Sequence, residues 1–571
     1  MNQTRMFLIL AWLMVATLLW MAWDKEQVAP PSPVASRVDV GDASVPDAGA
    51  AAGAIPTLAA TAPPGNPAVP AAATAAAGRS AALTVRTDVL EVVLDGGEIR
   101  QADLLAYPST ADEDSAPVRL FAQDPANYFV AQSGWVSNSG AAPSHLQGFV
   151  LDRDALPAGA DLVLDPGEDQ VVVPFTWTGP DGVTIRRSYT FGRGDYAVQV
   201  RDEVVNGGDA PWQGFVYRQL SRVPRELEKS GPMSVEQYSF QGAAWFGGGE
   251  YDKRDYEDFV DDGPLNQQVT GGWIAMLQHH FFGAWIPGAE DTSTFSLATP
   301  SGTGGTHYLI RELGPGVNVA PGATATAQAR LWVGPKLVAN IQSQQVPGLE
   351  RAVDFSSFSI MATLAGWLFW VLAKLHGLLG NWGWAIVGLV VLLKLVMFPL
   401  SAAQYKSMAK MRKFQPRMAQ LKERYGDDRQ KLQQAMMELY KKEKINPVGG
   451  CLPLLLQMPV FLALYWMLSE SVELRHAPWI LWIQDLTAAD PYFVLPVINI
   501  ALMWATQKLN PMTGIDPMQA KMMQFMPVVM GVVFAFFPAG LVLYWVTNAG
   551  LGLIQQWWMV RKYSEEPVKA T

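Results

Sequence analysis

WGWAIVGLVVLLKLVMFPL, residues 382–400, holds nineteen residues and a single charge, Lys394. At ~1.5 Å per residue it reaches about 28 Å as a helix, close to the thickness of a bilayer's hydrocarbon core. It therefore predicts a membrane span with a lysine inside it. Lys394 lies six residues from the end of the stretch, about 9 Å of rise. Snorkelling to the interface is one reading. The other is a wet, polar groove, because an ionisable group at depth costs about 2.5–3.5 kcal/mol on insertion scales and usually faces water or a partner.

Downstream, Ser401–Asn446 carries Lys406, Lys410, Arg412, Lys413, Arg417, Lys422, Arg424, Arg429, Lys431, Lys441, Lys442 and Lys444 against five acids. Such a loop belongs in the cytoplasm by the positive-inside rule. Further apolar stretches follow at Val448–Leu468, Tyr492–Thr506, Phe525–Phe537 and Ala539–Val560. The loop Glu470–Asp490 has Arg475 as its one basic residue, and Arg561 and Lys562 return the C-terminus to the cytoplasm. These spans add Gln457, Asn499, Thr506, Tyr544, Thr547 and Asn548 to the polar groups that could line a groove with Lys394. Tyr492–Thr506 and Phe525–Phe537 are short, and short spans thin the surrounding bilayer.

Within the basic loop, Met408, Met411, Met418, Leu421 and Tyr425 recur at helical steps, Gly426 stops the helix, and Asp427 and Asp428 can cap a second one carrying Leu432, Met436 and Leu439. Pro416 should kink the first helix. The pattern is a basic, methionine-lined hairpin at 402–446. It is either a solvated connector near anionic lipid or a contact for apolar segments, to which methionine adapts well.

Upstream, Phe355–Leu379 is apolar but interrupted by Lys374 and His376, with Ser356, Ser357 and Ser359 beside Trp367, Trp370 and Leu378. We read it as an amphipathic helix along the membrane face, with a true span as the alternative. Before it, Leu83–Lys336 alternates with period two. Val171, Val173, Phe175 and Trp177 precede a turn at Pro180-Asp181-Gly182; Val183, Ile185, Tyr189 and Phe191 precede another at Gly192-Arg193-Gly194-Asp195; Tyr196, Val198 and Val200 follow. That pattern predicts an antiparallel β-sandwich. Residues 24–81 are rich in Ala, Pro and Gly and read as a flexible linker. Met6–Trp23 is eighteen uncharged residues behind Arg5. Its bulky end, with Trp20, Met21 and Trp23, argues for a retained anchor with a cytoplasmic N-terminus over a cleaved signal.

Composition agrees. The 571 residues are 50% hydrophobic and 16% charged, and the net charge of −10 hides acids gathered in the first 350 positions and bases gathered between Lys406 and Lys444. The single cysteine, Cys451, excludes an intramolecular disulfide. The sandwich shows no phosphate loop, no zinc pair and no nucleophile elbow. Adjacent His279 and His280 should face opposite sides of a strand. Trp273, Phe281, Phe282 and Trp285 could line a sugar cleft, though sandwich core is the plainer reading. A secondary transporter would show internal repeats, and none is seen.

Asn446-Pro447-Val448-Gly449-Gly450-Cys451-Leu452-Pro453 followed by Gln457-Met458-Pro459-Val460-Phe461 resembles the third-span signature of the YidC family of membrane protein insertases. Phe537-Pro538-Ala539-Gly540-Leu541-Val542-Leu543-Tyr544-Trp545 resembles its last span; Gln404-Tyr405-Lys406-Ser407-Met408-Ala409-Lys410-Met411 and Asp516-Pro517-Met518-Gln519 match too. The resemblance covers the whole chain, including the large periplasmic sandwich of Gram-negative members. It implies a non-enzymatic inner-membrane insertase and chaperone without a cofactor or nucleic-acid substrate. Its partners would be nascent membrane proteins, the Sec translocon, lipids, and ribosomes or targeting factors at the hairpin. The family usually has arginine where this chain has Lys394, so the charge is kept and the planar fork lost.

The expected organisation is an anchor at 1–23, a linker at 24–81, a periplasmic sandwich at 82–340, a connection with an interfacial helix at 341–380, a five-helix core at 381–562 and a tail at 563–571. That makes six spans with both termini cytoplasmic.

Overall fold

A computed structural model describes residues 82–564, apart from 157–160, 226–238, 303–304, 357–358, 405–416, 443–451, 510–516 and a few single or paired positions. The expected anchor and linker, the Asn446–Cys451 signature, Pro416 and most of the first hairpin helix lie outside the described residues.

The period-two region forms two large sheets, of ten and nine strands, and a two-stranded ribbon of Ser301–Gly302 with Gly305–Thr306. Strand Gln170–Thr178 pairs with Val183–Gly192, which pairs with Ala197–Asn206, which pairs with Thr324–Pro335, all antiparallel. Val173, Phe175, Val183, Ile185, Tyr189, Phe191, Val198 and Val200 point into the core. Gly182 holds φ +82°, a backbone that the tight turn requires and that only glycine adopts freely. One pair departs from the expected antiparallel order: Leu83–Arg86 runs parallel to Asp161–Val163. The chain returns to that edge only after a long excursion, so no hairpin dictates its direction.

The alternation also delivers Arg187 and Asp202 to the core. They are directly opposite in register on neighbouring strands. Arg187 Nε and Nη2 donate to the two Asp202 oxygens at 2.8 Å each, and Nη1 donates to Ser133 Oγ at 2.9 Å. Glu98 lies 3.4 Å from Nη1, and Trp135 Nε1 donates to Asp202 at 2.7 Å. Burial pushes the Glu98 carboxyl up to about 8 against the pull of Arg187.

His279 and His280 do not face opposite ways. They sit in the turn between Trp273–Leu277 and Phe281–Pro287, where strand alternation does not apply, and their rings stack at 3.7 Å. Trp273, Phe281, Phe282 and Trp285 are all buried core, so they line no cleft.

The C-terminal half is helical: α1 Ser359–Leu379, α2 Trp382–Val396, α3 Phe398–Gln404, α4 Arg429–Lys442, α5 Leu452–Glu470, α6 Val494–Lys508, α7 Pro517–Phe534 and α8 Ala539–Ser564. α8 packs on α2 and α6, α1 on α2 and α5, and α7 on α6. α1 buries Ala365, Leu368, Phe369 and Leu372 and exposes Ile360, Trp367, Trp370 and Leu378. The outward stripe is thus the more aromatic one, broken by exposed Lys374. Among the described residues, Ile360–Leu379 is the one helix long and apolar enough to cross a membrane by length and composition. Counting the bent pair of α2 and α3 as one span adds a second.

Two expected spans change shape. The stretch 382–400 is not one straight helix, because α2 and α3 meet at 61°. Pro399 explains the break: it has no N–H to give Leu395 O, its ring crowds that carbonyl, and its fixed φ suits the first turn of a new helix. The stretch expected at Phe525–Phe537 begins eight residues earlier, at Pro517, giving an eighteen-residue helix with Pro527 inside. The thinning argument therefore falls to α6, fifteen residues long. In the hairpin, Asp428 caps α4, accepting from Lys431 N at 3.1 Å.

The loop 471–493 closes one end of the bundle. It buries Leu474, Ile483 and Leu486. Ala539 N and Gly540 N at the start of α8 donate to Ala488 O and Leu486 O of that loop. Asn381, the α2 cap, reaches Pro478 O and Trp479 O. Asp490 anchors the loop, accepting from Trp482 Nε1, Tyr492 N and Leu495 N at 3.0, 3.0 and 2.7 Å. Asp490→Ala is expected to cost about 2–3 kcal/mol, since three donors lose an acceptor at a buried position. Thermal unfolding followed through tryptophan fluorescence would measure it, and an unchanged midpoint would show that the loop holds without this residue.

Candidate functional site

α2 carries Val390, Lys394 and Met397 on one face, and the bend at Met397 turns α3 so that Ser401 and Gln404 continue that line. Opposite stand Gln457 and Val460 of α5 and Tyr544, Asn548 and Gln555 of α8. Together with Leu393 these residues enclose a cavity of about 200 Å³. Tyr544 and Gln457 hydrogen-bond to each other across it. Phe461 packs beside them, 4.7 Å from Trp545 between ring centres.

Lys394 is half-buried, and no carboxylate pairs with it among the described residues. Gly552 of α8 faces it, and a Cβ there would stand 3.6 Å from the Lys394 Nζ, at ordinary contact distance. The side chains around the cation are neutral: hydroxyl, amide and aliphatic. Gln555 Nε2 is buried and has no hydrogen-bond partner. A buried amide of this kind is ordinarily satisfied by water or a ligand. The cavity is therefore positive, polar on several sides and without a countercharge among the described residues.

Toward the loop, the same three helices carry Ile386, Leu389, Leu464, Met467, Leu541 and Val542, all buried, and Trp479 packs where Gly383 lacks a side chain.

Of the seven residues expected to line a groove, four meet here: Lys394, Gln457, Tyr544 and Asn548. Asn499 does not reach it; it is 0% exposed and its amide nitrogen contacts Met503 Sδ at 3.8 Å. Thr506 spends its hydroxyl on Leu502 O at 2.8 Å within its own helix, a common resolution for a threonine in an apolar helix. Thr547 is half-buried and is not among the lining residues. Ser401, Gln404 and Gln555 were missing from the expected set. Their signal was helical spacing: 390, 394, 397, 401 and 404 form one stripe, and 544, 548, 552 and 555 form another.

The two halves of the chain match known families separately. Residues 82–371 match the YidC periplasmic domain, and residues 374–566 match the 60Kd inner membrane protein family. A membrane protein insertase YidC of Stenotrophomonas maltophilia (strain R551-3) is 57% identical over 574 residues, covering 100% of this chain and 98% of its own length. The chain belongs to the YidC family of membrane protein insertases. A YidC of Xanthomonas campestris pv. campestris is 56% identical over 578 residues, covering 100% of this chain and 99% of the relative. A crystal structure of an active YidC insertase with its first transmembrane domain resolved aligns with 84% of this chain and 94% of its own at 19% identity and a TM-score of 0.36. As a YidC-family member the chain is an inner membrane protein, and its β-sandwich is the periplasmic domain.

Proposed function

We propose that the chain inserts and helps fold inner-membrane proteins, alone or beside the Sec translocon, by receiving the polar tail of a client in the cavity around Lys394. The observation that carries this reading is the unpaired cation in a polar recess between α2, α5 and α8. Such a recess lowers the cost of bringing a hydrophilic tail into the bilayer's depth, because water and neutral dipoles replace part of its hydration. The client's apolar segment then partitions into lipid by its own hydrophobicity, at about −0.3 to −0.6 kcal/mol per Leu, Ile, Phe or Val at the helix centre. No nucleotide is required.

In this reading the anchor 1–23 and the five-helix core make six spans, both termini are cytoplasmic, and α1 lies along the periplasmic interface. The basic hairpin 402–446 meets ribosomes, targeting factors or emerging apolar segments. The fifteen-residue α6 thins the adjacent bilayer. The purified chain in liposomes, with no nucleotide present, is expected to insert a small single-span client so that its tail becomes protected from protease. Insertion no better than into empty liposomes would overturn the proposal.

A further inference from the structure

The β domain and the helical half meet through a buried, charged joint. Lys336, the residue after the last strand, is 1% exposed and lies 3.9 Å from Glu470 at the end of α5. Ser239 Oγ donates to the other Glu470 oxygen at 2.7 Å. His279 Nε2 donates to Ser469 O at 2.8 Å, and Lys336 N donates to His280 O at 2.9 Å. One turn further, Val338 N donates to Glu473 Oε1 at 3.3 Å, while Glu473 Oε2 is sealed from solvent with no partner. Arg475 reaches across to Ser109 O at 3.0 Å and lies over the Phe281 ring.

Two carboxyl groups are thus enclosed where the domains touch, and neither is well compensated. The gap from Lys336 to Glu470 is too long for a hydrogen bond. Glu470 also stands at the C-terminal end of α5, where the helix dipole disfavours an anion. We propose that docking of the periplasmic domain on the helical bundle is proton-linked: protonation of Glu470 and Glu473 closes the joint, and their ionisation loosens it.

The groups facing these carboxyls set the sign. Around Glu470 are Lys336, Ser239 and the Lys253–Asp354 pair, closed at 2.6 Å. Burial raises Glu470 to about 7, opposed by Lys336 and Ser239. Facing Glu473 are Val338 N and Tyr107; burial raises this carboxyl also to about 7. His280 opposes them. Burial, then His279, Arg475 and Lys336, hold it well below its ordinary 6.5. A group raised in the closed joint stabilises it below its free pKa and loses that contribution as pH rises through the raised value. Both carboxyls, ordinarily near 4.5, follow this rule. His280 costs the closed joint stability below 6.5. Burial also lowers Lys336, against the pull of Glu470, but its opposition begins at its ordinary 10.5, above this range; within it two carboxyls take up protons and His280 refuses one, so the joint tightens as pH falls from about 8 to about 5.5.

The full chain in lipid nanodiscs tests this directly. Cys451→Ser removes the native thiol, and spin labels on Asp124→Cys in the β domain and Leu481→Cys in the loop, both exposed, report the distance between the two halves. Pulsed electron resonance is expected to give one narrow distance at about pH 5.5 and a broad distribution at about pH 8, with the closed population favoured roughly tenfold more at the lower pH. Adding Glu470→Gln and Glu473→Gln should keep the narrow distance at both values. The labelled parent alone decides the matter if those variants fold poorly. An identical distribution at both pH values, or one that broadens on acidification, overturns the proposal.

Discussion

Lys394→Glu is expected to cut insertion of a client with an acidic translocated tail by tenfold or more, while Lys394→Arg keeps most of the parent's activity. The charge stands half-buried among neutral groups with no paired carboxylate among the described residues, so no described group cancels its field within the cavity. One ion pair at ~4 Å in an effective dielectric of ~20 is worth about 4 kcal/mol. A third of that is already a factor of ten in an equilibrium, and reversal turns the attraction into repulsion. Arginine keeps the charge, and nothing around Lys394 demands a compact ammonium. The measurement is insertion of one client with acidic and neutral tail variants into liposomes carrying each form. Equal insertion of both tails by the Glu variant would make the cation incidental. Loss for both tails alike would keep the polar recess and discard the attraction.

Arg187→Ala should destabilise the periplasmic domain by about 3–5 kcal/mol, the cost of stripping one partner from a buried charge pair. Asp202 would keep the Trp135 indole and lose both guanidinium bonds, and Glu98 would keep the Ser133 amide alone. For a domain of this size a kilocalorie is about 2–4 °C of midpoint, so a fall on the order of 10 °C follows. Thermal unfolding of the full chain, followed through the buried tryptophans, would record it. A fall below about 2 °C would mean that water or repacking satisfies both acids in place of the arginine.

Much of this was legible before any coordinates. Alternation at Val183, Ile185, Tyr189 and Phe191 placed the strand correctly, and the same count puts Arg187 inward, although an arginine in a core slot is easily passed over in a hydrophobic pattern. Only the facing strand, with Asp202 in register, explains why it is tolerated. The lysine at 394 stood out because charge in an apolar run is costly wherever it points. Its neighbours were harder to find. Ser401 and Gln404 lie beyond a bend set by Pro399, and Gln555 comes from a helix distant in sequence, so their convergence depends on helix packing that no local pattern encodes. Asn499 and Thr506 failed for the converse reason. Thr506 satisfies its hydroxyl on its own helix backbone, and Asn499 turns its amide nitrogen to Met503 of the same helix with its Oδ1 left without a partner, so neither reaches the shared space. The helix over the stretch Phe525–Phe537 starts earlier than its apolar run because Gln519, Lys521 and Gln524 dilute the hydropathy without breaking the helix.

The layer of Ile386, Leu389, Leu464, Met467, Leu541 and Val542 beneath the loop bears on the cell's energy supply. A protein that brings hydrophilic segments across a charged membrane faces the hazard that any route for them is also a route for protons and small ions. Here the polar recess stops against packed hydrocarbon, where a bare ion would have to shed its hydration at a cost of order 20 kcal/mol. On the proposed function, a tail would be accommodated part of the way while that apolar layer keeps the barrier to ions, as a recess ending in packed side chains does and a continuous pore does not.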